Sequence, residues 1–334
     1  MMGKGEALLE IRDLRNEFPQ GTRGRRGRKL QALRGVSLAV MEGESFGIVG
    51  ESGSGKTTLA RTILRLLRPT RGTVKYRGMD VHTLAAKDLL AFRKKVQIVF
   101  QDPFGSLNPR IRAGRMLDEV LQVHRPDLSR AARGERVEEL LSLVGLRPEA
   151  ALRYPHEFSG GQRQRLGIAR ALSVEPELLI LDEPVSALDL SVQAQILNLL
   201  VELKASLGLT YILITHDLSV LRQVTDRVGV FYLGEVVEIG PTDALFDDPA
   251  HPYTKGLLAA AEPLKESEGE VGQWAVLPGE PPSAIHPPTG CAFHPRCPHP
   301  SKGPGCADEA PSLQPANKPR KVACFKAREH LTGP

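Results

Sequence analysis

The sequence predicts an α/β fold with a largely parallel sheet. Segments of strand and helix character alternate from about residue 8 to residue 240, an order typical of parallel sheets covered by helices. Four short apolar runs, each bounded by polar or turn residues, are candidates for buried strands. They are Phe46 to Gly50, Val96 to Phe100, Leu178 to Leu181 and Tyr211 to Thr215. We expect these runs to be neighbours in one sheet.

A phosphate-binding motif follows the first of these runs. Residues 50–57 read GESGSGKT, which fits the pattern G-x-x-x-x-G-K-[ST], and Lys56 to Leu67 then has the composition of a helix. The glycines let backbone N–H groups turn toward a polyphosphate, and the helix N-terminus adds a favourable dipole. Lys56 is predicted to reach the β- and γ-phosphates, and Thr57 to bind Mg²⁺ through its hydroxyl. The predicted ATP-binding residues are Gly50, Ser52, Gly53, Ser54, Gly55, Lys56, Thr57 and Thr58.

Two carboxylates follow the third apolar run. Residues 178–184 read LLILDEP, so Asp182 and Glu183 lie at the tip of a predicted strand. Asp182 can hold Mg²⁺ through water, and Glu183 can act as a general base toward the attacking water. Two acids at a strand end can also be simple caps. Downstream of a phosphate-binding motif, they predict ATP hydrolysis.

The remaining segments predict a helical insertion and a separate tail. Between residues 105 and 172 the pattern is helical, and Val137, Leu140, Leu141 and Val144 are predicted to share one helix face. Pro278 to Pro288 is too rich in proline for a helix or strand and is predicted to be a linker.

Phe158 to Arg165 reads FSGGQRQR, which resembles the signature of the ABC-transporter ATPase family. The resemblance implies an ABC cassette of the P-loop NTPase fold with a helical signature subdomain. It also implies that a four-residue set contacts the nucleotide held by a partner cassette. That set is Ser159, Gly160, Gly161 and Gln162.

Three single residues match further family motifs in the same order. The resemblance implies that Gln101 takes part in catalysis, binds Mg²⁺ and links it to membrane subunits. It implies that Asp189 shapes the dimer interface and that His216 contacts the γ-phosphate. Taken singly, Gln101 or His216 could be an ordinary polar loop residue. Phe18 is the candidate for the aromatic residue that holds adenine, with core packing as its alternative.

The match extends to one branch of the family. The segments DPFGSLNPR (102–110), YPHEFSGGQRQR (154–165), DEPVSALDLSVQAQ (182–195) and HPYT (251–254) resemble the oligopeptide/dipeptide importers, and among them the F subunit more than its D partner. This implies an ATPase domain over 6–245, with its helical subdomain at about 105–172, and a C-terminal extension over 246–334. It also implies four kinds of partner: a second, paralogous ATPase subunit, two transmembrane permeases and, indirectly, an extracytoplasmic peptide-binding protein. A homodimer remains open.

All four cysteines lie beyond the proline-rich segment. Cys291, Cys297, Cys306 and Cys324 have the spacing C-x5-C-x8-C-x17-C. The predicted reducing compartment argues against disulfides and favours metal ligation. The spacing lacks paired C-x-x-C knuckles, and the resemblance implies a 4Fe-4S cluster. Zinc, with His294 or His299 as a further ligand, and unliganded thiols are the alternatives.

Charge and hydropathy place limits on location and partners. The most apolar charge-free stretch, Ala205 to His216, is far shorter than the roughly 18 residues of a membrane span, and the N-terminus lacks the layout of a secretory signal. We therefore expect a cytosolic chain that does not itself cross a bilayer, and the resemblance implies a peripheral position on the cytoplasmic face of the cell membrane. The formal net charge is +5, and the basic run Thr22 to Lys29 is either a solvated loop or a docking site for anionic partners.

Two other functions are alternatives to peptide import. One is the same importer type with nickel or oligosaccharide as its cargo. The other is a soluble ABC ATPase that acts on nucleic acid or the ribosome. The chain has one cassette and no sustained heptads, which disfavours the second alternative, so a nucleic-acid partner is not expected.

Overall fold

A computed structural model describes residues 7–20, 28–101, 105, 107–261, 277–299, 301–316 and 319–327. The chain divides into two compact units. The first comprises Met1–Thr83 and Thr215–Pro334, and the second comprises Leu84–Ile214. Most of the basic run 22–29 lies outside the described residues, and so does part of 102–110.

The elements are numbered in chain order within the described residues. The strands are β1 (Ala7–Pro19), β2 (Lys29–Met41), β3 (Ser45–Val49), β4 (Arg71–Tyr76), β5 (Met79–Asp80), β6 (Val96–Val99), β7 (Leu178–Asp182), β8 (Thr210–Thr215), β9 (Arg227–Tyr232), β10 (Glu235–Pro241), β11 (Gln314–Pro315) and β12 (Lys321–Val322). The α-helices are α1 (Lys56–Ile63), α2 (Ala86–Lys95), α3 (Ala113–His124), α4 (Arg130–Leu143), α5 (Gly160–Leu172), α6 (Leu190–Leu207), α7 (Leu218–Val224), α8 (Thr242–Asp247), α9 (Pro252–Ala261) and α10 (Gly305–Asp308).

The four predicted strands are present, with bounds that differ by one residue at most. They are β3, β6, β7 and β8, and every residue of β3, β7 and β8 is buried. In the second unit, β6, β7 and β8 pair in parallel. Apolar runs bounded by turn residues are sufficient to locate such strands, because both faces of a parallel sheet are covered. The predicted α/β class is therefore confirmed.

The first unit contains antiparallel pairing that the sequence did not predict. β1 lies between β2 and β4, antiparallel to both, and β5 extends this sheet beyond β4. In the second sheet of this unit, β3 pairs with β9 in parallel. β9, β10, β12 and β11 then follow one another in that order, and each pair of neighbours is antiparallel. Expecting strand and helix to alternate from residue 8 onward was wrong for β1 and β2. Antiparallel strands can be consecutive in sequence, since they need no crossover helix.

The helix after the phosphate motif is shorter than predicted. It ends at Ile63 instead of Leu67. Arg65 has a left-handed φ of 56°, and the amides of Leu66 and Leu67 both donate to the carbonyl oxygen of Arg61. This turn closes the helix in the manner of a C-terminal cap.

The second unit contains the predicted helical insertion. Helices α3, α4 and α5 lie within residues 113–172. Val137, Leu140 and Leu141 are buried on one face of α4, and Val144 is buried directly after it. The predicted face is therefore confirmed. Among the described residues, no helix combines the length and apolar character that a bilayer crossing requires.

Candidate nucleotide site

The phosphate loop follows the buried strand β3 and turns at two glycines. Gly50 has a φ of 157° and Gly55 a φ of 104°, where side chains are rarely found. A Cβ on Gly50 would lie 2.1 Å from the carbonyl oxygen of Phe231, and one on Gly55 would lie 2.4 Å from that of Ala32. Both positions therefore require glycine for backbone conformation and for space.

The lysine of the motif is folded back over its own loop. Lys56 begins α1 and is only 5% exposed. Its Nζ donates to the carbonyl oxygens of Gly50 at 2.6 Å and Glu51 at 3.0 Å. The start of α1 has no side-chain cap at Gly55. The buried ammonium and the positive end of the helix dipole together form a site for an anion.

The other phosphate-loop residues lie around this helix start. Ser52 and Gly53 are exposed at the crest of the loop, and Thr57 and Thr58 are partly buried. The Ser54 hydroxyl is buried and has no hydrogen-bond partner among the described residues. Such an unpaired hydroxyl costs free energy unless a ligand or water satisfies it.

Gln101 and Glu183, which were predicted from separate motifs, contact each other in the second unit. Asp182 ends β7 and is 3% exposed. Glu183 comes next, with a left-handed φ of 49° that is strained for a residue with a side chain. Its N–H donates to the carbonyl oxygen of Ile214 at 2.8 Å, and Gln101 Nε2 donates to Glu183 Oε2 at 2.9 Å. Gln101 thus holds one oxygen of the carboxylate predicted to act as base.

The signature residues form the N-terminus of α5. Ser159 is the N-cap, and its Oγ accepts a hydrogen bond from the Gln162 N–H at 3.3 Å. In return, Gln162 Oε1 accepts from the Ser159 N–H at 3.1 Å. This reciprocal capping box satisfies two backbone donors at the end of the helix. The pattern S-x-x-Q at residues 159–162 is typical of such a cap, a role in addition to the predicted contact with phosphate.

Close packing accounts for the glycines of the signature. A Cβ on Gly161 would lie 2.4 Å from Cγ1 of Val192, and one on Gly160 would lie 3.2 Å from Cδ2 of Leu188. Asp189 Oδ1 accepts from the Val192 N–H at 2.9 Å and caps α6. The segment Leu188 to Val192 therefore contacts the signature directly, and Asp189 has a structural role within its own chain.

Two further predicted site residues belong to the first unit. His216 is exposed directly after β8. Phe18 lies half-buried in β1, opposite Leu30 of β2. The predicted roles of His216 toward phosphate and Phe18 toward adenine stay predictions.

The motif HPYT has a structural role that the sequence did not reveal. Glu238 is fully buried in β10, and its carboxylate accepts from the N–H groups of Ala250 at 2.9 Å and His251 at 2.8 Å. His251 Nδ1 accepts from the Tyr253 N–H at 3.0 Å, and burial lowers the pKa of His251 to about 3. The Tyr253 hydroxyl accepts from the N–H of Glu51 at 2.9 Å. The motif therefore fixes the start of α9 to β10 and to the phosphate loop.

The four cysteines line one cavity in the predicted C-terminal extension, residues 246–334, which is called the C-terminal segment below. Burial, followed by the neighbouring cysteines, raises the pKa of Cys291 to about 12, and burial also raises the pKa of Cys297 and Cys324. His294 and His299 line the same cavity. The Nδ1 of His294 lies 2.9 Å from the carbonyl oxygen of Cys291, and that of His299 accepts from the Ser301 N–H. Buried thiols with raised pKa values are protonated and unreactive unless a cation replaces the proton.

In the part of the chain that the structure describes, the arrangement of the cysteines and histidines gives no support to a bound metal ion. Within the described ranges, no group of three or more His, Cys, Asp or Glu side chains is placed to hold a metal ion. This gives no support to the zinc alternative or to the iron–sulfur cluster. The cluster therefore stays a prediction.

Two family models match the chain. The ABC transporter model matches residues 33–186, and the model of the oligopeptide/dipeptide transporter C-terminal region matches residues 237–306. The first match contains the phosphate loop, Gln101, the signature and Glu183. The second contains HPYT and the first three cysteines.

Curated relatives match almost the whole chain. The oligopeptide transport ATP-binding protein AppF of Bacillus subtilis is 49% identical over 96% of this chain and 97% of its own length. OppF of Salmonella typhimurium, with the same description, is 46% identical over 96% of each chain. The di/tripeptide transport ATP-binding protein DppF of Pseudomonas aeruginosa is 42% identical over 98% of this chain and 99% of its own length.

Solved structures match the cassette part. A dimeric, post-hydrolysis state of the ATP-binding cassette MJ0796 bound to ADP and phosphate has a TM-score of 0.63 and 31% identity, covering 70% of this chain and 98% of its own. Structure cbiO1 from Clostridium perfringens, part of an ABC transporter complex, has a TM-score of 0.64 and 29% identity, covering 72% and 91% of the two chains.

Proposed function

Because the chain belongs to the family of ABC-transporter ATP-binding proteins of oligopeptide and dipeptide systems, we propose that it drives the import of di- and oligopeptides. The observation that carries this proposal is the relatives' 42–49% identity over both the cassette and the C-terminal extension. The chain is an ATP-hydrolysing subunit. Nickel or oligosaccharide cargo, and a soluble ATPase acting on nucleic acid or ribosomes, are not favoured.

The site residues support separate roles in ATP binding and in hydrolysis. Lys56 and the uncapped start of α1 bind the phosphates. Glu183, held by Gln101, accepts a proton from the attacking water. His216 contributes a further contact to the γ-phosphate, and Phe18 stacks on adenine.

Mg²⁺ is the metal that this donor set fits. The hydroxyl of Thr57, the buried carboxylate of Asp182 and the amide oxygen of Gln101 are oxygen donors, which Mg²⁺ prefers. Bound with ATP, such an ion would neutralise negative charge on the transferring phosphoryl group.

Two cassettes close head to tail around nucleotide in this proposal. Ser159, Gly160, Gly161 and Gln162 of each cassette face the nucleotide bound to the phosphate loop of the other, and Asp189 lies at the dimer interface. Membrane permeases are the partners that the family implies. More specifically, we propose two permeases, a paralogous ATPase as the second cassette and an extracytoplasmic peptide-binding protein, with this chain on the cytoplasmic face of the membrane.

The C-terminal thiols fit an iron–sulfur cluster by chemistry. Four cysteines line one cavity, and thiolates are the usual ligands of a 4Fe-4S cluster. A four-iron cluster takes one thiolate at each iron, so its ligands need not converge on one point as they do around zinc. Bound there, such a cluster would cross-link the four parts of the segment that carry these cysteines. Cys291, Cys297, Cys306 and Cys324 would hold it.

Metal analysis and absorption test the cluster. The full chain, prepared without oxygen, should contain about four irons per chain, as a 4Fe-4S cluster requires, and absorb visible light, and Cys297→Ser should lose both. A colourless protein that contains stoichiometric zinc, or no metal, would contradict the cluster and leave the ATPase assignment intact.

Uptake and co-purification test the transport function. Cells that lack this chain should lose ATP-dependent uptake of a labelled tripeptide and regain it with the wild-type gene but not with Glu183→Gln. The tagged chain should co-purify with membrane permease subunits. Normal peptide uptake without the chain, or co-purification with ribosomes instead of permeases, would refute the proposal.

A further inference from the structure

The C-terminal segment contacts the phosphate loop through one buried arginine. Arg296 lies between Cys291 and Cys297, and its side chain is 6% exposed. Its two terminal nitrogens donate to the two carboxylate oxygens of Glu51, Nη1 to Oε2 at 2.7 Å and Nη2 to Oε1 at 3.0 Å. Glu51 is the second residue of the motif GESGSGKT. A two-pronged contact of this kind fixes both the position and the orientation of the carboxylate.

Arg296 is itself held in place by Pro278 and by Tyr232 of β9. Its Nε donates to the carbonyl oxygen of Pro278 at 3.0 Å, and its guanidinium lies 5.8 Å from the ring centre of Tyr232. Tyr232, Tyr253 and Phe293 pack against one another, with ring centres 4.7 to 5.3 Å apart. An arginine guanidinium is charged at any pH in the cell.

Glu51 in turn contacts the lysine of the site. Its N–H is held by the Tyr253 hydroxyl at 2.9 Å, and its carbonyl oxygen accepts from Lys56 Nζ at 3.0 Å. The C-terminal segment thus fixes Glu51 at the carboxylate and at the amide. A shift of Glu51 would move a carbonyl oxygen that orients Lys56.

Charge adds a second effect. Glu51 places a carboxylate at the start of a loop that binds a polyphosphate. Without a positively charged partner, this partly buried carboxylate would repel the negatively charged nucleotide. Arg296 neutralises this carboxylate and holds it aside.

We propose that Arg296 is a positioning residue for the phosphate loop, so that the C-terminal segment is a working part of the ATP site. The inference rests on the proposed role of that loop in binding ATP. It makes nucleotide affinity depend on the fold of a segment outside the cassette. Any change that displaces the turn at residues 294–296 weakens ATP binding.

A matched pair of arginines tests the proposal. Arg320 lies in the same segment with a fully buried side chain, but it pairs with Asp248 and bonds the carbonyl oxygens of Asp248 and Ala244, away from the phosphate loop. In the full chain, Arg296→Met should raise the dissociation constant for Mg-ATP by about tenfold or more, as displaced binding groups commonly do. Arg320→Met should change it by less than about twofold, although both variants lower the unfolding temperature.

Removing the carboxylate provides a rescue that a merely structural role would not give. Glu51→Gln in the Arg296→Met background should recover the part of the affinity that charge repulsion costs, because the repelling charge is gone, whereas the part that depends on positioning stays lost. Arg296→Lys should lie between wild type and Arg296→Met, since it keeps the charge but loses the two-pronged contact. It also serves if Arg296→Met does not fold.

The outcomes separate this inference from the proposed function. Wild-type affinity in Arg296→Met, an equal loss in Arg320→Met, or no recovery in the double variant would each overturn it while wild-type protein still binds Mg-ATP. A wild-type chain that does not bind Mg-ATP would overturn the function on which it rests.

Discussion

Two helices of this chain begin at glycine-rich loops, and their N-termini are closed in different ways. α1 begins after Gly55 without a side-chain cap and with a buried lysine in its first position. α5 begins after Ser159, and a capping box with Gln162 occupies its first N–H groups. The first helix therefore has a glycine cap and a buried ammonium at its start, whereas the second has two backbone donors satisfied by side chains of its own chain.

The supports of the two loops differ as well. The phosphate loop is contacted by the C-terminal segment through Arg296 and Tyr253. The signature loop packs on Val192. This residue lies in the first turn of α6, and the connection that begins with Glu183 leads into that helix. Since the two loops rest on different parts of the chain, each can be disturbed without the other. The proposed head-to-tail dimer requires such a separation, because in it the two halves of each site come from two subunits.

The largest expected effect separates nucleotide binding from hydrolysis. Glu183→Gln removes the predicted general base but keeps an oxygen and the neighbour Gln101, so turnover should fall at least about a hundredfold. Binding depends on the phosphate loop, so Mg-ATP affinity should stay within about threefold, since the substitution removes a transition-state contact only. Steady-state ATPase assays and nucleotide titrations of the same preparation measure the two quantities.

Glu175→Gln is the control for this variant. Glu175 lies in the same unit and also has a left-handed φ, of 54°, but its carboxylate pairs with Arg125 and Arg136 at the surface. Its turnover should equal that of wild type. Near-normal ATPase activity in Glu183→Gln would contradict the assignment of the base.

The sequence predicted the strands that carry these residues because apolar runs between turn residues have few alternatives in a parallel sheet. It identified Lys56, Ser159 and Glu183 because their motifs are read at fixed spacing. It did not predict the pairing of Glu51 with Arg296, since 245 residues separate them and neither has a local pattern. The antiparallel sheet of β1 and β2 was missed for a similar reason. Strand pairing depends on tertiary contacts that local sequence does not encode.

A smaller effect tests whether the phosphate loop requires glycine because of close contacts or because of backbone torsion alone. Gly53 and Gly55 both have left-handed φ values, of 79° and 104°. A Cβ at Gly53 would meet nothing within 4 Å, whereas one at Gly55 would lie 2.4 Å from the carbonyl oxygen of Ala32. Gly55→Ala should therefore lower the free energy of unfolding by about 2 kcal/mol more than Gly53→Ala does. Urea denaturation of both variants measures the difference, and equal losses would show that torsion alone decides.

The smallest effect tests whether the signature loop acts beyond its own helix. Asp is as good an N-cap as Ser, so Ser159→Asp should keep the stability of α5. Its added negative charge should lower ATPase activity of the assembled transporter by about tenfold, because like charges would meet at the partner's nucleotide. Mg-ATP affinity of the chain by itself should not change, since the phosphate loop is untouched.

Ser129→Asp provides the matched comparison. Ser129 caps α4 in the same way, with Oγ accepting from the Ala132 N–H at 3.2 Å, but it belongs to no phosphate motif. If both variants keep the unfolding temperature and only Ser159→Asp loses activity, the capping box is a resting state of a phosphate site supplied to another subunit. If both keep full activity, the box is only a cap, and the difference between the two helix starts is one of folding alone. Because both changes add the same charge at the same kind of helix position, net charge and helix propensity cannot explain a difference between them.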